Sequence, residues 1–246
     1  MIRRVLAIVM LSFAPATVWA EGSCRNVQFE DLPYTVCEAA PEADVRLFLN
    51  GADGANLGSF DAVNRQLATE GTALVFAMNG GMYHPDRRPV GLYIENGQSA
   101  HDLVTTSGGG NFGLVPNGVF CVKQGGGFAV IETHAYAKAA PACRYATQSG
   151  PMLVIDGALH PKFLADSDSL YIRNGVGVTP DGRALFAISG QAVNFHTFAR
   201  FFRDALGTPN ALYLDGSISR LYAPELRRND FGFSMGPILG LVAPRQ

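Results

Sequence analysis

Residues 212–219 read Leu-Tyr-Leu-Asp-Gly-Ser-Ile-Ser, and the change from apolar to polar residues within them is the most informative feature of the chain. The apolar run that ends at Leu214 is typical of a buried strand, and Asp215 follows it directly. A carboxylate held at the mouth of a strand, with the hydroxyls of Ser217 and Ser219 beside it, suits a general base or a nucleophile. The alternative is a plain turn, because Asp-Gly is among the commonest turn dipeptides.

Three other stretches also place polar residues beside glycine at the edge of an apolar run. They are Ala-Met-Asn-Gly-Gly-Met-Tyr (77–83), Thr-Gln-Ser-Gly-Pro-Met-Leu (147–153) and Tyr-Ile-Arg-Asn-Gly-Val-Gly-Val (171–178). With residues 212–219 they resemble, in order, the motifs of the phosphodiester glycosidase family (uncovering-enzyme-like), most closely its bacterial exported branch. The resemblance implies a hydrolase that cleaves the glycosidic bond of a sugar 1-phosphodiester, on an envelope or extracellular glycan.

The resemblance also implies a set of site residues. Asp215 and Arg173 are the expected catalytic residues, with Asp215 acting either as nucleophile or as general base, and Arg173 gripping a phosphate through parallel hydrogen bonds. The expected substrate-binding residues are Asn79, Gly80, Gly81, Ser149, Asn174, Gly216, Ser217 and Ser219.

The residues taken alone leave simpler alternatives for three of these positions. Arg173 can be a surface arginine at a strand end, Asn79 can belong to a hairpin turn, and Ser149 can open a turn before Pro151. Two departures from the family pattern fall near the site: Asn174 stands where threonine is common, and residues 217–219 replace further glycines. We therefore do not carry over a mammalian substrate.

Two other functions are kept as alternatives. One is a non-catalytic exported glycan-binding protein that keeps the cleft. The other is a phosphoesterase that cuts the P–O bond instead of the glycosidic bond. No Gly-x-Ser-x-Gly elbow is present, which disfavours a Ser–His–Asp hydrolase.

The first twenty residues have the pattern of a secretory signal peptide. A basic start at Arg3 and Arg4 precedes a short apolar segment, and Val18-Trp19-Ala20 offers a cleavage site. We expect residues 1–20 to be the signal peptide and residues 21–246 to be one phosphodiester glycosidase-like domain. The product is then periplasmic or secreted, with no stable membrane anchor. The sequence gives no indication of oligomeric state.

The charge and the cysteines narrow the function classes further. The formal net charge of −2 disfavours a nucleic-acid partner. Four cysteines in an exported chain favour disulfides, for which three connectivities exist. We predict Cys24–Cys37 and Cys121–Cys143, because the members of each pair are near in sequence.

We expect no metal and no other cofactor. The five histidines lack any short ligand spacing. Gly108-x-Gly110-x-x-Gly113 matches a dinucleotide pattern only formally, because it leads to a Pro-Asn-Gly turn and not to a helix.

The element pattern predicts an α+β fold, with a large mixed or antiparallel β-sheet and a few packing helices in a single domain. Helical spacing predicts one helix over residues 60–67, with Ser59 as N-cap, and a second over residues 195–206, with Asn194 as N-cap and Gly207 as stop. Asn96-Gly97, Asn117-Gly118, Asp156-Gly157 and Pro180-Asp181-Gly182 each predict a hairpin.

Overall fold

The structure is a computed structural model that describes residues 22–215 and 218–245. Its strands are β1 (Gly22–Phe29), β2 (Leu32–Ala39), β3 (Val45–Phe48), β4 (Thr72–Asn79), β5 (Tyr93–Glu95), β6 (Gln98–His101), β7 (Gly118–Lys123), β8 (Phe128–Glu132), β9 (Cys143–Ser149), β10 (Met152–Ile155), β11 (Ala158–Leu159), β12 (Asn174–Val178), β13 (Ala184–Ser189), β14 (Asn210–Asp215), β15 (Leu221–Ala223), β16 (Arg228–Asn229) and β17 (Ile238–Pro244). The helices are α1 (Phe60–Ala68), α2 (Thr133–Ala139) and α3 (Phe195–Arg200), with a π-helical turn at Phe201–Ala205 and a 3₁₀ turn at Pro224–Leu226.

The described strands form three sheets. A seven-stranded sheet has the order β1-β2-β13-β12-β14-β10-β11, and two five-stranded sheets have the orders β16-β15-β4-β17-β3 and β6-β5-β9-β7-β8. Each of these pairings is antiparallel. The predicted α+β domain with largely antiparallel strands is therefore confirmed, with the strands divided among three sheets.

The main core lies where the three sheets meet. Phe186 comes from the seven-stranded sheet, Phe76 from the sheet that contains β4, and Phe120 from the sheet that contains β7. The ring centre of Phe186 is 5.3 Å from that of Phe76 and 5.7 Å from that of Phe120, and all three side chains are fully buried. Aromatic pairs at these distances add to the free energy of burial. This junction fixes the sheets against one another, and with them the strand ends that carry the polar motifs.

The two predicted helices, α1 and α3, begin where the sequence predicts, whereas α2 was not predicted. The Ser59 hydroxyl accepts the Ala62 N–H at the start of α1, and the Asn194 side chain accepts the Thr197 N–H at the start of α3. Helix α3 changes to a π-helical turn after Arg200. This turn is followed by Gly207, which has φ +64°. Its aromatic face packs on β2, where Phe201 stacks on Tyr34 at 3.8 Å between ring centres.

One predicted hairpin is wrong. Asn117 does not make a turn between two paired strands but precedes β7, and it is 1 % exposed. Its amide nitrogen donates to the Phe112 carbonyl at 2.9 Å, and its amide oxygen accepts the Thr133 hydroxyl at 2.6 Å. Asn117 therefore satisfies buried polar groups from two other segments, which a local turn pattern does not reveal.

Both predicted disulfides are confirmed. Cys24 is bonded to Cys37 across the β1–β2 pair, and Cys121 is bonded to Cys143 across β7 and β9, so each bond joins neighbouring strands. In the described part of the chain, no helix combines the length and the apolar composition that a membrane-spanning segment needs.

Replacing Cys121 and Cys143 together by alanine should lower the free energy of unfolding by about 3 kcal/mol, because the bond closes a loop with a sequence separation of 22 residues. Urea titration of the oxidised variant and wild type measures this difference. An unchanged free energy of unfolding would show that the bond does not stabilise the fold.

Candidate active site

The polar motifs converge because the ends of three strands meet, one from each sheet. Asn79 is the last residue of β4, Ser149 the last of β9 and Asp215 the last of β14. Asn174 is the first residue of β12 and lies directly opposite Asp215 in the antiparallel pairing. The junction of the sheets thus gathers residues that are far apart in the chain.

The two asparagines lock their strands together. The Asn79 amide donates to Asn174 Oδ1 at 3.2 Å, while the Asn174 amide donates to the Asn79 carbonyl at 3.1 Å and to Asn79 Oδ1 at 3.1 Å. Both side chains are fully buried. Because buried polar groups are costly without partners, this paired arrangement fixes the end of β4 against the start of β12, which belongs to a different sheet.

The chain that follows Asp215 is tied to the same pair. The Arg220 backbone N–H donates to Asn79 Oδ1 at 2.9 Å, and the Ser219 hydroxyl donates to the Ile172 carbonyl at 3.0 Å and lies 3.4 Å from Asn174 Oδ1. The structure therefore brings together Ser219 and Asn174, two of the residues that the sequence analysis expects to bind substrate. Gly216 and Ser217 lie outside the described residues.

Ser149 supports the strand that carries the acid. Its hydroxyl donates to the Leu214 carbonyl at 2.7 Å, and the side chain is fully buried. The register between β12 and β14 shifts between the Asn174 and Gly175 pairs, so Leu214 occupies a bulge just before Asp215. Bulges re-aim side chains at strand ends, and Ser149 fixes the backbone at this one.

Asp215 faces a cleft of about 610 Å³ and is 6 % exposed. The described residues that line the cleft are Met82, Tyr83, His84, Pro85, Arg87, Val90, Gly109, Gly110, Asn111, Phe112, Asp215 and Ile218. Among these lining residues Asp215 is the only carboxylate. A second surface depression, of about 540 Å³ beside α1 and lined by Asp61, Arg65 and Arg245 among others, contains none of the predicted site residues.

Arg173 is buried completely, which excludes the surface arginine that the sequence left open. Its Nε donates to the Val193 carbonyl at 2.8 Å and its Nη2 to the Ser169 carbonyl at 2.8 Å. The guanidinium carbon lies 3.6 Å from the ring centre of Phe195. Burial lowers the pKa of this guanidinium, and the neighbouring Tyr213 opposes the shift.

The remaining nitrogen of Arg173, Nη1, is buried without a hydrogen-bond partner in the described part of the chain. Arg173 is not among the described residues that line the Asp215 cleft. The structure therefore places its charge against the rings of Tyr171, Phe195 and Tyr213, just before the start of β12, and not on the cleft surface.

The two glycines after Asn79 permit close backbone packing. Gly80 donates its N–H to the Pro237 carbonyl at 2.7 Å, and a side chain there would press on the backbone of β17. Gly81 has φ +154°, and a Cβ at this position would lie 2.6 Å from Thr147 Oγ1. Only glycine fits at Gly81 without displacing β9.

Sequence reasoning missed Tyr83 as a member of the cleft. Its ring packs on Gly236, where a Cβ would come within 2.5 Å of the ring. Burial raises the pKa of Tyr83, as does the charge of Asp215, while Arg87 and Arg220 lower it. Tyr83 thus keeps its proton at neutral pH. Asp215, Arg87 and Arg220 all act electrostatically on its phenol. Its place in the motif after Gly80-Gly81 was the available signal.

Asn174→Asp should destabilise the fold at pH 7 by about 3 kcal/mol, because it places a second charge opposite Asp215 and removes the donor to Asn79. Urea unfolding compares it with Asn26→Asp, an exposed strand position expected to change by less than about 0.5 kcal/mol. Equal effects at the two positions would contradict the interlocked pair.

The chain is similar to known proteins in sequence and in fold. A sequence model of the phosphodiester glycosidase family matches residues 72–234. An uncharacterised protein of Escherichia coli (strain K12), YigE, is 39 % identical over 178 residues, which are 72 % of this chain and 69 % of that protein.

Solved structures show the same fold at low identity. The catalytic domain of zebrafish N-acetylglucosamine-1-phosphodiester alpha-N-acetylglucosaminidase, auto-inhibited by its pro-peptide, superposes with a TM-score of 0.61 at 14 % identity, covering 92 % of this chain and 84 % of that domain. A hypothetical protein from Synechocystis gives a TM-score of 0.57 at 15 % identity, with coverage of 90 % and 61 %. An exported protein from Burkholderia pseudomallei K96243 gives 0.52 at 11 %, with coverage of 85 % and 74 %.

Proposed function

Because the chain belongs to the phosphodiester glycosidase family, we propose that it is an exported hydrolase that cleaves the glycosidic bond of a sugar 1-phosphodiester in an envelope or extracellular glycan. The observation that supports this most is Asp215 at the meeting point of three sheets, facing the cleft as its single described carboxylate. The two disulfides suit an oxidising compartment outside the cytoplasm.

The chemistry of the bond explains why one acid is sufficient. Ordinary glycosidases use two carboxyl groups, one of which protonates a poor alkoxide leaving group. A phosphate monoester leaves with its negative charge spread over several oxygens, so it needs little protonation. The cleft, with Asp215 as the only carboxylate among its described lining residues, matches this requirement better than it matches an ordinary glycoside.

We propose that Asp215 works on the anomeric carbon in one of two ways. As a general base it takes a proton from water, whose oxygen bonds to the anomeric carbon while the bond to the phosphate oxygen breaks and leaves its electrons on the phosphate. As a nucleophile its carboxylate oxygen bonds to the anomeric carbon while the phosphate monoester leaves, and water then attacks the same carbon, which releases the sugar and restores the carboxylate. Both routes give a free sugar and a phosphate monoester.

The other predicted residues receive roles that suit their surroundings. Asn79, Asn174 and Ser149 are fully buried and hold the ends of β4, β12 and β14, so we propose that they orient the site from beneath. We propose that Gly216, Ser217 and Ser219 contact the sugar, with Gly80 and Gly81 allowing close approach of the backbone. Arg173 does not line the cleft, so we propose that its buried cation offsets the charge on the leaving phosphate through its electrostatic field and not by contact.

Turnover of a nitrophenyl-phosphoryl sugar by the purified protein tests the proposal. Glycosidic cleavage releases the sugar and nitrophenyl phosphate, whereas cleavage on the nitrophenol side of phosphorus releases yellow nitrophenolate. Several sugars must be assayed, since the sugar is not specified. Saturable binding without turnover of any of them would favour the glycan-binding alternative, and nitrophenolate release would favour the phosphoesterase.

A further inference from the structure

Two loops, within residues 82–90 and 108–113, contribute most of the described residues that line the cleft, and we call them its outer wall. One contains Gly108, Gly109 and Gly110, and a Cβ at any of these three positions would meet nothing within 4 Å. The base of this loop is closed, because a Cβ on Gly113 would collide with the backbone of Gly108. The glycines therefore form an open stretch of backbone, of which Gly109 and Gly110 line the cleft.

The N–H groups of this stretch are available to a ligand. In the part of the chain that the structure describes, neither Gly109 nor Gly110 donates a backbone hydrogen bond. Successive N–H groups without acceptors and without side chains can bind an anion. This loop is the segment that formally matched a dinucleotide pattern, and no helix follows it.

Arg87 lies on the second loop and also lines the cleft. Its guanidinium is 5.3 Å from the centre of the Tyr83 ring, and Nη1 donates to the Pro85 carbonyl at 3.2 Å. Its neighbour Arg88 is paired with Asp86 at 2.6 Å, whereas the ion pairs within the described residues include none for Arg87. Arg87 also has φ +72°, a conformation that is uncommon for a side chain of this size.

We propose that Arg87 and the backbone N–H groups of Gly109 and Gly110 bind the phosphate group of the substrate on the outer wall of the cleft. This inference rests on the proposed function for the identity of the ligand, and it adds residues that the sequence motifs did not include. The phosphate then lies between Arg87 and the glycine loop while the sugar carbon faces Asp215. A guanidinium and backbone donors are the groups that proteins use for phosphate oxygens.

The charges around the cleft suit an anion at this position. Arg87 and Arg220 both act on the Tyr83 phenol, as does Asp215. His84 lines the cleft, and the nearby Asp86 is engaged with Arg88. Two arginine cations and one described carboxylate, Asp215, therefore act on this phenol, and of the three Asp215 has the largest effect on its pKa.

Calorimetric titration with phenyl phosphate measures this site without any turnover. Arg87→Gly removes the guanidinium and suits the positive φ, and it should weaken binding about 10- to 100-fold. The matched control is Arg88→Gly, which should stay within about twofold because Arg88 is paired with Asp86. Gly109→Val should weaken binding by blocking approach to the loop backbone, whereas Gly125→Val, at another open glycine, should not.

The outcomes separate this inference from the proposed function. Weaker phenyl phosphate binding in Arg87→Gly, without turnover of any sugar phosphodiester by wild type, would retain the phosphate site and reject the hydrolase. Normal turnover with an unchanged KM in Arg87→Gly would reject the phosphate site and retain the hydrolase. The inference is also overturned if wild type shows no saturable binding, or if Arg87→Gly and Arg88→Gly weaken binding equally.

Discussion

The Asp215→Asn protein is expected to lose at least about a hundredfold in kcat on an activated sugar phosphodiester. Asparagine keeps the size and hydrogen bonding of the side chain but removes the charge that a base or a nucleophile needs. The free energy of unfolding should change little or increase, because a carboxylate in a cleft is often strained for function. Steady-state kinetics and urea unfolding of the same preparation measure both quantities.

Asp156 provides a matched control for this substitution. Like Asp215, it follows an apolar strand and precedes glycine, but it forms the plain β10–β11 turn with φ +48°. Asparagine tolerates this conformation well, so Asp156→Asn should leave both kcat and stability nearly unchanged. If Asp215→Asn behaved like Asp156→Asn, Asp215 would be only a turn residue.

Arg173→Ala is expected to have the largest effect on stability, a loss of about 3–5 kcal/mol. It removes the donors to the carbonyls of Val193 and Ser169 and leaves a cavity against Phe195. In the fraction that folds, kcat should fall more than KM rises, because Arg173 does not line the cleft, with the greatest loss for substrates whose phosphate is a poor leaving group. Urea unfolding and steady-state kinetics with two leaving groups check these effects.

Two further variants separate the structural effect of Arg173 from the effect of its charge. Arg173→Met refills the cavity, so it should recover part of the stability without recovering kcat. Arg203→Ala removes a surface arginine that is paired with Asp204, and it should change stability by less than about 1 kcal/mol. Full activity in a folded Arg173→Met protein would contradict a role for the charge in the reaction.

The strand-end residues could be predicted because local patterns are strong there. An apolar run that stops at a polar residue beside glycine identifies Asn79 and Asp215, and for Ser149 the apolar run follows the glycine; each of the three residues ends a strand. That these ends meet at one place could not be predicted from the runs themselves. It depends on the packing of Phe76, Phe120 and Phe186 between three sheets, which involves contacts distant in sequence.

The surroundings of Arg173 show where a hydrophobic pattern fails. Residues 170–172 are apolar and suggest a buried strand, but they are 54 %, 52 % and 39 % exposed, and the strand begins only at Asn174. The charged Arg173 is the buried residue instead, because aromatic rings and two carbonyls surround it. Tyr83 and Arg87 were not predicted for a related reason. Both lie in a loop, and loop residues have no periodicity that indicates which cleft they line.

Hydrolysis in water enriched in oxygen-18 tests the central claim most directly, namely attack at the anomeric carbon. The substrate is a sugar 1-phosphodiester that the wild-type protein turns over. After hydrolysis, mass spectrometry locates the label in the two products. Either role of Asp215 places the label on the anomeric carbon of the released sugar and leaves the phosphate monoester unlabelled. Label in the phosphate monoester would show that a P–O bond was cut, and it would contradict the proposed reaction.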